Sequence, residues 1–246
     1  MADKVIVITG ANGGLGRALA QRFASDGEKV VLLGRSLAKV QEVAVELGEH
    51  ALAVECDVTS ADSVRTAFEK IAAVHPKIDV LINNAAVFQP FLVEEASDDQ
   101  IFGSILTNLA GPILCTRSAI PVLSRGGHII NLSSESVEEQ LPHLTLYQAT
   151  KGGLESFSHH LNRELESKGI RVTVVRAGQM FGPGSSATMD PVAFQRFFEE
   201  GVKRGLNVMQ RGTSQYVSTL QLFRMLVDLP PDVHVGSIHF QGRLPD

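Results

Sequence analysis

The sequence predicts an α/β fold in which a doubly wound parallel sheet carries helices on both faces. Short β-branched apolar runs alternate with segments of helical spacing, and a glycine-rich turn separates the first run from the first helix. The 246 residues, 44% of them hydrophobic, can bury one ordinary core. Parallel strands need crossover connections, so this alternation of strands and helices predicts a parallel sheet of about seven strands. We expect one domain over 1–246.

The glycine-rich turn follows the first predicted strand, over 5–9, and leads into a helix that runs to residue 25. Glycines allow a sharp turn and let backbone N–H groups approach a pyrophosphate at the positive end of a helix. Such a cluster can also be a plain turn, but its position inside a strand–helix–strand unit favours dinucleotide binding. The predicted cofactor contacts in this loop are Gly10, Asn12, Gly13, Gly14, Leu15 and Gly16.

The second predicted strand, over 29–33, ends at Gly34-Arg35-Ser36, near the position that reads the adenosine ribose in dinucleotide-binding folds. An acidic residue there accepts hydrogen bonds from a free 2′-hydroxyl and repels a 2′-phosphate. Arg35 can instead pair with a phosphate through two N–H groups and stack on adenine. The sequence therefore predicts a preference for NADP(H) over NAD(H), against the alternative that Arg35 is a solvated residue at the start of a helix.

Polar or small residues follow the third and fourth predicted strands, over 51–55 and 78–82. Ligands bind at the carboxyl ends of the strands in open parallel sheets. Asp57 is a candidate acceptor for the adenine amino group, and the asparagines at 83 and 84 can tie neighbouring strands through their side-chain amides. The candidate cofactor contacts at these strand ends are Asp57, Val58, Asn84, Ala85 and Ala86, of which the alanines leave room for a ribose.

Tyr147 precedes Lys151 by four residues and follows Ser134 by thirteen. On a helix predicted over 146–167, the phenol and the ammonium lie on one face, a turn apart. A neighbouring cation stabilises the phenolate and lowers the tyrosine pKa, so that the phenol can exchange protons with a carbonyl or an alcohol. Ser134, after a strand predicted over 128–132, can donate a hydrogen bond to the same substrate oxygen. Taken alone, the spacing also fits an exposed helix pair.

Taken in order along the chain, these motifs resemble the single-domain branch of the short-chain dehydrogenase/reductase family. The residues that carry the resemblance are Thr9, Gly10, Gly14, Gly16, Asp57, Val58, Asn83, Asn84, Ala85, Asn108, Ser134, Tyr147 and Lys151. The resemblance implies a Rossmann fold and a nicotinamide cofactor that carries the hydride. It also implies that Tyr147 is the acid/base, that Ser134 polarises the carbonyl, and that Lys151 lowers the tyrosine pKa and binds the nicotinamide ribose. Asn108 resembles the asparagine that anchors a water in the proton relay.

Two positions depart from the family pattern. Ala86 stands where a glycine is usual, and Ala177-Gly178 stands where the family commonly has Pro-Gly near the nicotinamide. Gly178 keeps the turn and is a further candidate cofactor contact. The loss of proline relaxes the loop and brings Arg176 near the site. The sequence leaves open whether its side chain points toward the ligand or away from it.

The segment 178–212 departs most from the strand–helix alternation, and the resemblance implies a substrate lid here. It begins with a flexible run over 180–186 and continues into a helix predicted over 191–204. One face of this helix either lines a pocket for a hydrophobic or aromatic carbonyl compound or packs the lid on the body. The residues that share this face at helical spacing are Phe194, Phe197 and Phe198.

Acidic residues follow Ser134 in the loop that borders the predicted site. Glu135, Glu138 and Glu139 either favour a cationic group on the substrate or belong to a solvated loop. The role of His143, which is similarly placed, is left open, and the sequence does not identify the substrate.

Composition and charge exclude several classes of partner. The net charge is −5 and no basic run is present, which argues against a nucleic-acid partner. No stretch is long and apolar enough to span a bilayer, and the N-terminus lacks a signal-peptide pattern. Cys56 and Cys115 show no metal-ligand spacing and are typical of a reducing cytoplasm. We therefore expect a cytoplasmic protein with a small-molecule carbonyl or alcohol substrate, no metal and no membrane partner.

The C-terminal part of the chain predicts a helix over 213–228 and a final strand over 233–240. The resemblance implies that these two elements form subunit contacts, together with helices predicted over 98–124 and 146–167. We expect a homotetramer, with a dimer as the alternative.

Three functions fit the sequence. The first is an NADP(H)-dependent reductase of a ketone or aldehyde, or the reverse alcohol dehydrogenase. The second is an epimerase or dehydratase with tightly held nicotinamide, because the spacing Gly10, Gly13, Gly16 also fits those longer enzymes; however, only about seventy residues follow the sixth predicted strand, over 170–175. The third is a non-catalytic NADP(H)-sensing protein, whose expected signature is loss of the tyrosine, lysine or serine, and all three are present.

Overall fold

A parallel sheet organises the computed structural model, which describes residues 3–183, 190–206 and 212–244. The strands are β1 (Val5–Thr9), β2 (Lys29–Gly34), β3 (Ala51–Glu55), β4 (Ile78–Asn83), β5 (Leu123–Ser134), β6 (Arg171–Ala177), β7 (Met180–Phe181), β8 (Ser214–Gln215) and β9 (Ser237–Phe240). Seven of them form one sheet in the order β3-β2-β1-β4-β5-β6-β9, and β7 pairs with β8. Every pairing in the larger sheet is parallel. The order reverses between β1 and β4, which is where ligands bind in doubly wound sheets.

Helices cover both faces of this sheet. They are α1 (Gly14–Ser25), α2 (Leu37–Leu47), α3 (Ala61–Val74), α4 (Asp98–Ile105), α5 (Gly111–Ala119), α6 (Thr145–Leu165), α7 (Pro191–Lys203) and α8 (Tyr216–Asp228). Along β1, Ile6 and Ile8 pack in a buried cluster with α1, α2 and α8, whereas Val7 packs in a second cluster with α3, α5 and α6. This alternation follows from the period of two in a strand, and it confirms the predicted fold class.

The helix predicted over 98–124 is wrong in two respects. It divides into α4, a π-helical turn over Leu106–Ala110 and α5, and the chain enters β5 already at Leu123. Asn108 lies in the π turn, completely buried, where its side chain bonds to backbone outside the helix. The hydrophobic spacing does not reveal such a local change in helical pitch.

The last elements are shorter than predicted. The final strand forms only at Ser237–Phe240, and the helix before it begins at Tyr216 rather than at residue 213. Part of the flexible run predicted over 180–186, namely residues 184–186, lies outside the described residues. Within the described ranges, no helix combines the length and the apolar character needed to cross a membrane.

Candidate active site

A cavity of roughly 580 Å³ opens at the carboxyl ends of the strands, between the glycine loop and helix α7. Fourteen of the predicted site residues line it, while Gly16, Asp57 and Asn108 lie outside its wall. The lining residues among those predicted are Gly10, Asn12, Gly13, Gly14, Leu15, Arg35, Val58, Asn84, Ala85, Ala86, Ser134, Tyr147, Lys151 and Gly178. The fold therefore brings together residues that are far apart in the sequence.

The glycine loop leaves its backbone open to the cavity. Gly14, the first residue of α1, has a φ of 54°, in the left-handed region that favours glycine. A Cβ on Gly16 would lie 2.4 Å from the carbonyl oxygen of Gly10, so this glycine allows helix α1 to approach β1 closely. A Cβ on Gly13 would meet nothing within 4 Å, which leaves space beside the N-terminus of α1. This arrangement fits the diphosphate of a dinucleotide.

Side-chain amides tie the strand ends together, as predicted for the asparagine pair. Asn84 donates its side-chain amide to the carbonyl of Thr9 over 2.9 Å, and the Thr9 hydroxyl accepts the backbone N–H groups of Asn84 and Ala85 over 3.0 Å each. Asn83 donates to the side chain of Asn131 over 2.8 Å. These bonds fix β1, β4 and β5 relative to one another at the floor of the cavity.

Arg35 lies exposed on the cavity wall at the end of β2, which β1 and β4 separate from β5. Among the described residues, no acidic side chain forms an ion pair with Arg35. Asp57 does not line the cavity: its Oδ1 accepts hydrogen bonds from the backbone and the hydroxyl of Thr59, over 3.0 and 2.7 Å. The contact of Asp57 with adenine therefore remains a prediction.

Tyr147 and Lys151 lie a turn apart on α6 and face Ser134 at the end of β5. The Lys151 ammonium lies 5.8 Å from the centre of the Tyr147 ring and donates to the carbonyl of Leu132 over 2.7 Å. The Ser134 hydroxyl accepts hydrogen bonds from the N–H and the hydroxyl of Ser136, over 3.2 and 3.0 Å. Its own hydrogen therefore remains available to the Tyr147 phenol, which lines the same cavity, or to a substrate oxygen.

The predicted acidification of Tyr147 by Lys151 is wrong for this arrangement. Burial raises the pKa of Tyr147, and the hydrogen bond from Ser134 opposes that rise without cancelling it. Burial also lowers the pKa of Lys151 to about 8. Desolvation disfavours the charged form of each group.

The Asn108 side chain holds the backbone of Val87. Its Oδ1 accepts the Val87 N–H over 2.8 Å, and its Nδ2 donates to the Val87 carbonyl over 2.9 Å. This pair of bonds fixes the chain that leads to Phe88, which lines the cavity. The predicted role of Asn108 in a water relay remains a prediction.

Arg176 points away from the cavity wall into an ion-pair network that the sequence did not reveal. Its guanidinium donates to both carboxylate oxygens of Glu155, over 3.0 and 2.5 Å, and also pairs with Glu138. Ser133 donates to the same Glu155 carboxylate over 2.5 Å. Partial burial raises the pKa of Glu155, but the hydrogen bonds from Arg176 and Ser133 outweigh it and leave the pKa below its ordinary value. One signal was available: Glu155 stands four residues after Lys151 and so shares its helix face.

The acidic loop after Ser134 forms a hydrogen bond with another loop of the protein. Glu135 lines the cavity and accepts the backbone N–H of Gln179 over 3.0 Å. His143 is buried outside the main cavity, with a φ of 63°, and burial lowers its pKa. Across the described part of the chain, no group of three or more His, Cys, Asp or Glu residues could hold a metal ion.

The parallel sheet and the glycine-lined cavity define an α/β protein of the dinucleotide-binding class. A sequence model described as short chain dehydrogenase matches residues 4–188, so the chain belongs to the short-chain dehydrogenase family of oxidoreductases.

Individual relatives agree with this assignment. The chain is 35% identical over 189 residues to an uncharacterized oxidoreductase of Methylorubrum extorquens, an alignment that covers 75% of this chain and 76% of the relative. It is 33% identical over 177 residues to the 3-oxoacyl-[acyl-carrier-protein] reductase of Mus musculus, covering 72% and 75%. An alcohol dehydrogenase of Thermococcus sibiricus, solved with 5-hydroxy-NADP, superposes with a TM-score of 0.82 at 25% identity and 99% coverage of both chains.

Proposed function

We propose that this protein reduces the carbonyl group of a ketone or aldehyde with NADPH, and that Tyr147 donates the proton. The observation that carries the proposal is that the Tyr147 phenol, the Ser134 hydroxyl and Lys151 line one cavity together with the glycine loop. The names of the relatives support it, since two of them are a reductase and an alcohol dehydrogenase.

The glycine loop would hold the cofactor diphosphate, and Lys151 would bind the nicotinamide ribose. When bound, the nicotinamide supplies the hydride. Ser134 and Tyr147 both donate hydrogen bonds to the substrate oxygen, which orients the carbonyl and polarises it. Tyr147 then passes its phenolic proton to that oxygen as negative charge develops on it. Such general acid catalysis typically contributes about 10² to 10⁴ in rate.

Burial raises the pKa of Tyr147, so the phenol is present at neutral pH in the protonated form that carbonyl reduction requires. A phenol whose pKa lies above its ordinary value of 10 stays protonated at neutral pH and acts as an acid. Lys151, with a pKa of about 8, is mostly protonated at neutral pH and can replace the proton that Tyr147 donates.

We also propose that 1–246 is one catalytic domain and that 178–212 forms a lid over the substrate. Helix α7 supports the lid assignment, because Phe197 packs against Leu141 and Leu144 of the body. Arg196 of the same helix pairs with Glu95 over 2.9 Å.

The function is tested by following NADPH oxidation with the purified protein against a panel of ketones, aldehydes and quinones. We expect turnover of at least one carbonyl compound, with the alcohol as product. NADPH binding without turnover of any member would contradict the proposal and favour the non-catalytic alternative.

The preference for NADP(H) rests on Arg35, which lines the cavity and is available to a 2′-phosphate. We expect Arg35→Asp to lower the ratio of kcat/KM with NADPH to kcat/KM with NADH by about tenfold or more, since a charge-assisted pair contributes about 1.5–3 kcal/mol. Arg65→Asp, an exposed substitution on α3, is the control. An unchanged ratio in the Arg35 variant would refute the assignment.

A further inference from the structure

Four phenylalanine rings surround the substrate side of the cavity. The ring of Phe88 meets the ring of Tyr147 edge-on, with centres 5.0 Å apart. On α7, the centres of Phe194 and Phe198 are 4.5 Å apart, and those of Phe197 and Phe198 are 5.5 Å apart. An apolar aromatic wall therefore stands next to the predicted proton donor.

The lid phenylalanines divide the two roles that the sequence left open. Phe197 is 5% exposed and is buried against Leu141 and Leu144, so it packs the lid on the body. All three rings line the cavity, but Phe194 and Phe198 are only partly buried, and Phe198 also packs against the cluster that contains Phe197. These two rings keep apolar surface available to a ligand.

The described cavity wall offers no cation beyond the two already assigned to the cofactor, so none is left to bind an anionic group of the substrate. Among the described lining residues, the only cations are Lys151, which donates to Leu132, and Arg35, which follows β2. Arg176 is held by Glu155 and Glu138 outside the wall. The carboxylate of Glu135 borders the cavity instead, and it would repel an anion.

We propose that the substrate is an uncharged aryl aldehyde or aryl ketone whose ring lies against Phe88, Phe194 and Phe198. Aromatic rings prefer edge-to-face and offset contacts with one another, and the arrangement around Tyr147 already has this geometry. The proposal rests on the proposed reductase function and names its substrate class.

The test compares two aldehydes, benzaldehyde and cyclohexanecarbaldehyde, in the wild type and in Phe194→Leu and Phe198→Leu. Each variant keeps an apolar side chain and loses the ring. For each substrate, the ratio of kcat/KM in the wild type to kcat/KM in the variant removes the effect of the substrate's intrinsic reactivity. We expect kcat/KM for benzaldehyde to fall by about three- to tenfold and kcat/KM for cyclohexanecarbaldehyde by no more than about twofold. Val192→Ala, an exposed apolar position on the same helix, is the control and should change neither value.

The charge argument is tested in the wild type with 4-carboxybenzaldehyde and its methyl ester. We expect kcat/KM for the carboxylate to be at least about tenfold lower than for the ester. Equal losses for benzaldehyde and cyclohexanecarbaldehyde in the leucine variants, or equal values for acid and ester, would overturn the substrate class while leaving the reductase function intact.

If the wild type reduces no aldehyde, calorimetric titration of benzyl alcohol into the protein with saturating NADPH separates the two proposals. Binding that weakens in the Phe194→Leu and Phe198→Leu variants would retain the aryl site and reject the reductase. Absence of binding to the wild type would overturn the aryl site as well.

Discussion

Burial governs the ionisation of the two central residues on α6. Lys151 is 3% exposed, and its pKa of about 8 reflects the cost of placing an ammonium away from water. The sequence correctly predicted that Tyr147 and Lys151 share one helix face, because a spacing of four residues fixes that geometry. It gave the wrong direction for the pKa of Tyr147, because desolvation depends on what the rest of the chain packs around the helix.

The pKa of Lys151 makes a prediction for stability. The folded protein loses this proton near pH 8, whereas the unfolded chain keeps it up to about pH 10.5, so the free energy of unfolding should rise with pH between these values. Relative to Lys151→Met, the wild type should gain about 2 kcal/mol between pH 7.5 and 9.5, measured by urea unfolding without cofactor.

Lys70→Met, at an exposed position on α3, is the matched control and should show no such pH dependence. A pH-independent difference between wild type and Lys151→Met would mean that Lys151 has an ordinary pKa in the folded state.

At the scale of elements, the end of β5 is held by side chains of α6 and β6. Ser133 pairs in register with Arg176, and Ser134 pairs with Ala177, so the Glu155 network lies one residue from Ser134. The sequence predicted the strand and the helix but not this network. The register between β5 and β6 and the rotation of α6 determine which charged side chains contact each other. The spacing of residues within one element does not determine either of these.

We expect Glu155 to act as a positioning residue for Ser134. Glu155→Gln keeps the shape of the side chain and removes its charge, so kcat should fall by about three- to tenfold while the Kd of NADPH stays unchanged. Glu164→Gln, an exposed position on the same helix, is the control. A lower melting temperature with unchanged kcat would show that the network contributes to stability alone.

At the scale of the whole molecule, the alternation of apolar strands and helices was sufficient to predict the parallel sheet. The cavity could be predicted in part, because strand ends of a parallel sheet meet at one edge. Phe88 and Leu144 were missed as lining residues, since loops rather than regular elements bring them to the cavity. The π-helical turn between α4 and α5 was missed because local hydrophobic spacing does not distinguish it from a continuous α-helix.

The exposed face of α4 bears on the proposed homotetramer. Phe102 of α4 is 59% exposed and Leu106, the first residue of the π turn, is 38% exposed one turn later; neighbouring exposed apolar side chains are a candidate surface for a second subunit. Light scattering should give four times the mass of one chain for the wild type and a smaller species for Phe102→Glu. Val45→Glu, on the exposed side of α2, should remain tetrameric. A monomeric wild type would contradict the proposal.

The central claim is that the phenol of Tyr147 protonates a carbonyl oxygen in the presence of NADPH. Its most direct test is the rate of carbonyl reduction by Tyr147→Phe at saturating NADPH, with the Kd of NADPH measured in parallel by fluorescence. We predict a loss of about 10² to 10⁴ in kcat with an unchanged Kd, because only the proton donor is removed. A variant that reduces the carbonyl within about threefold of the wild-type rate would contradict the mechanism.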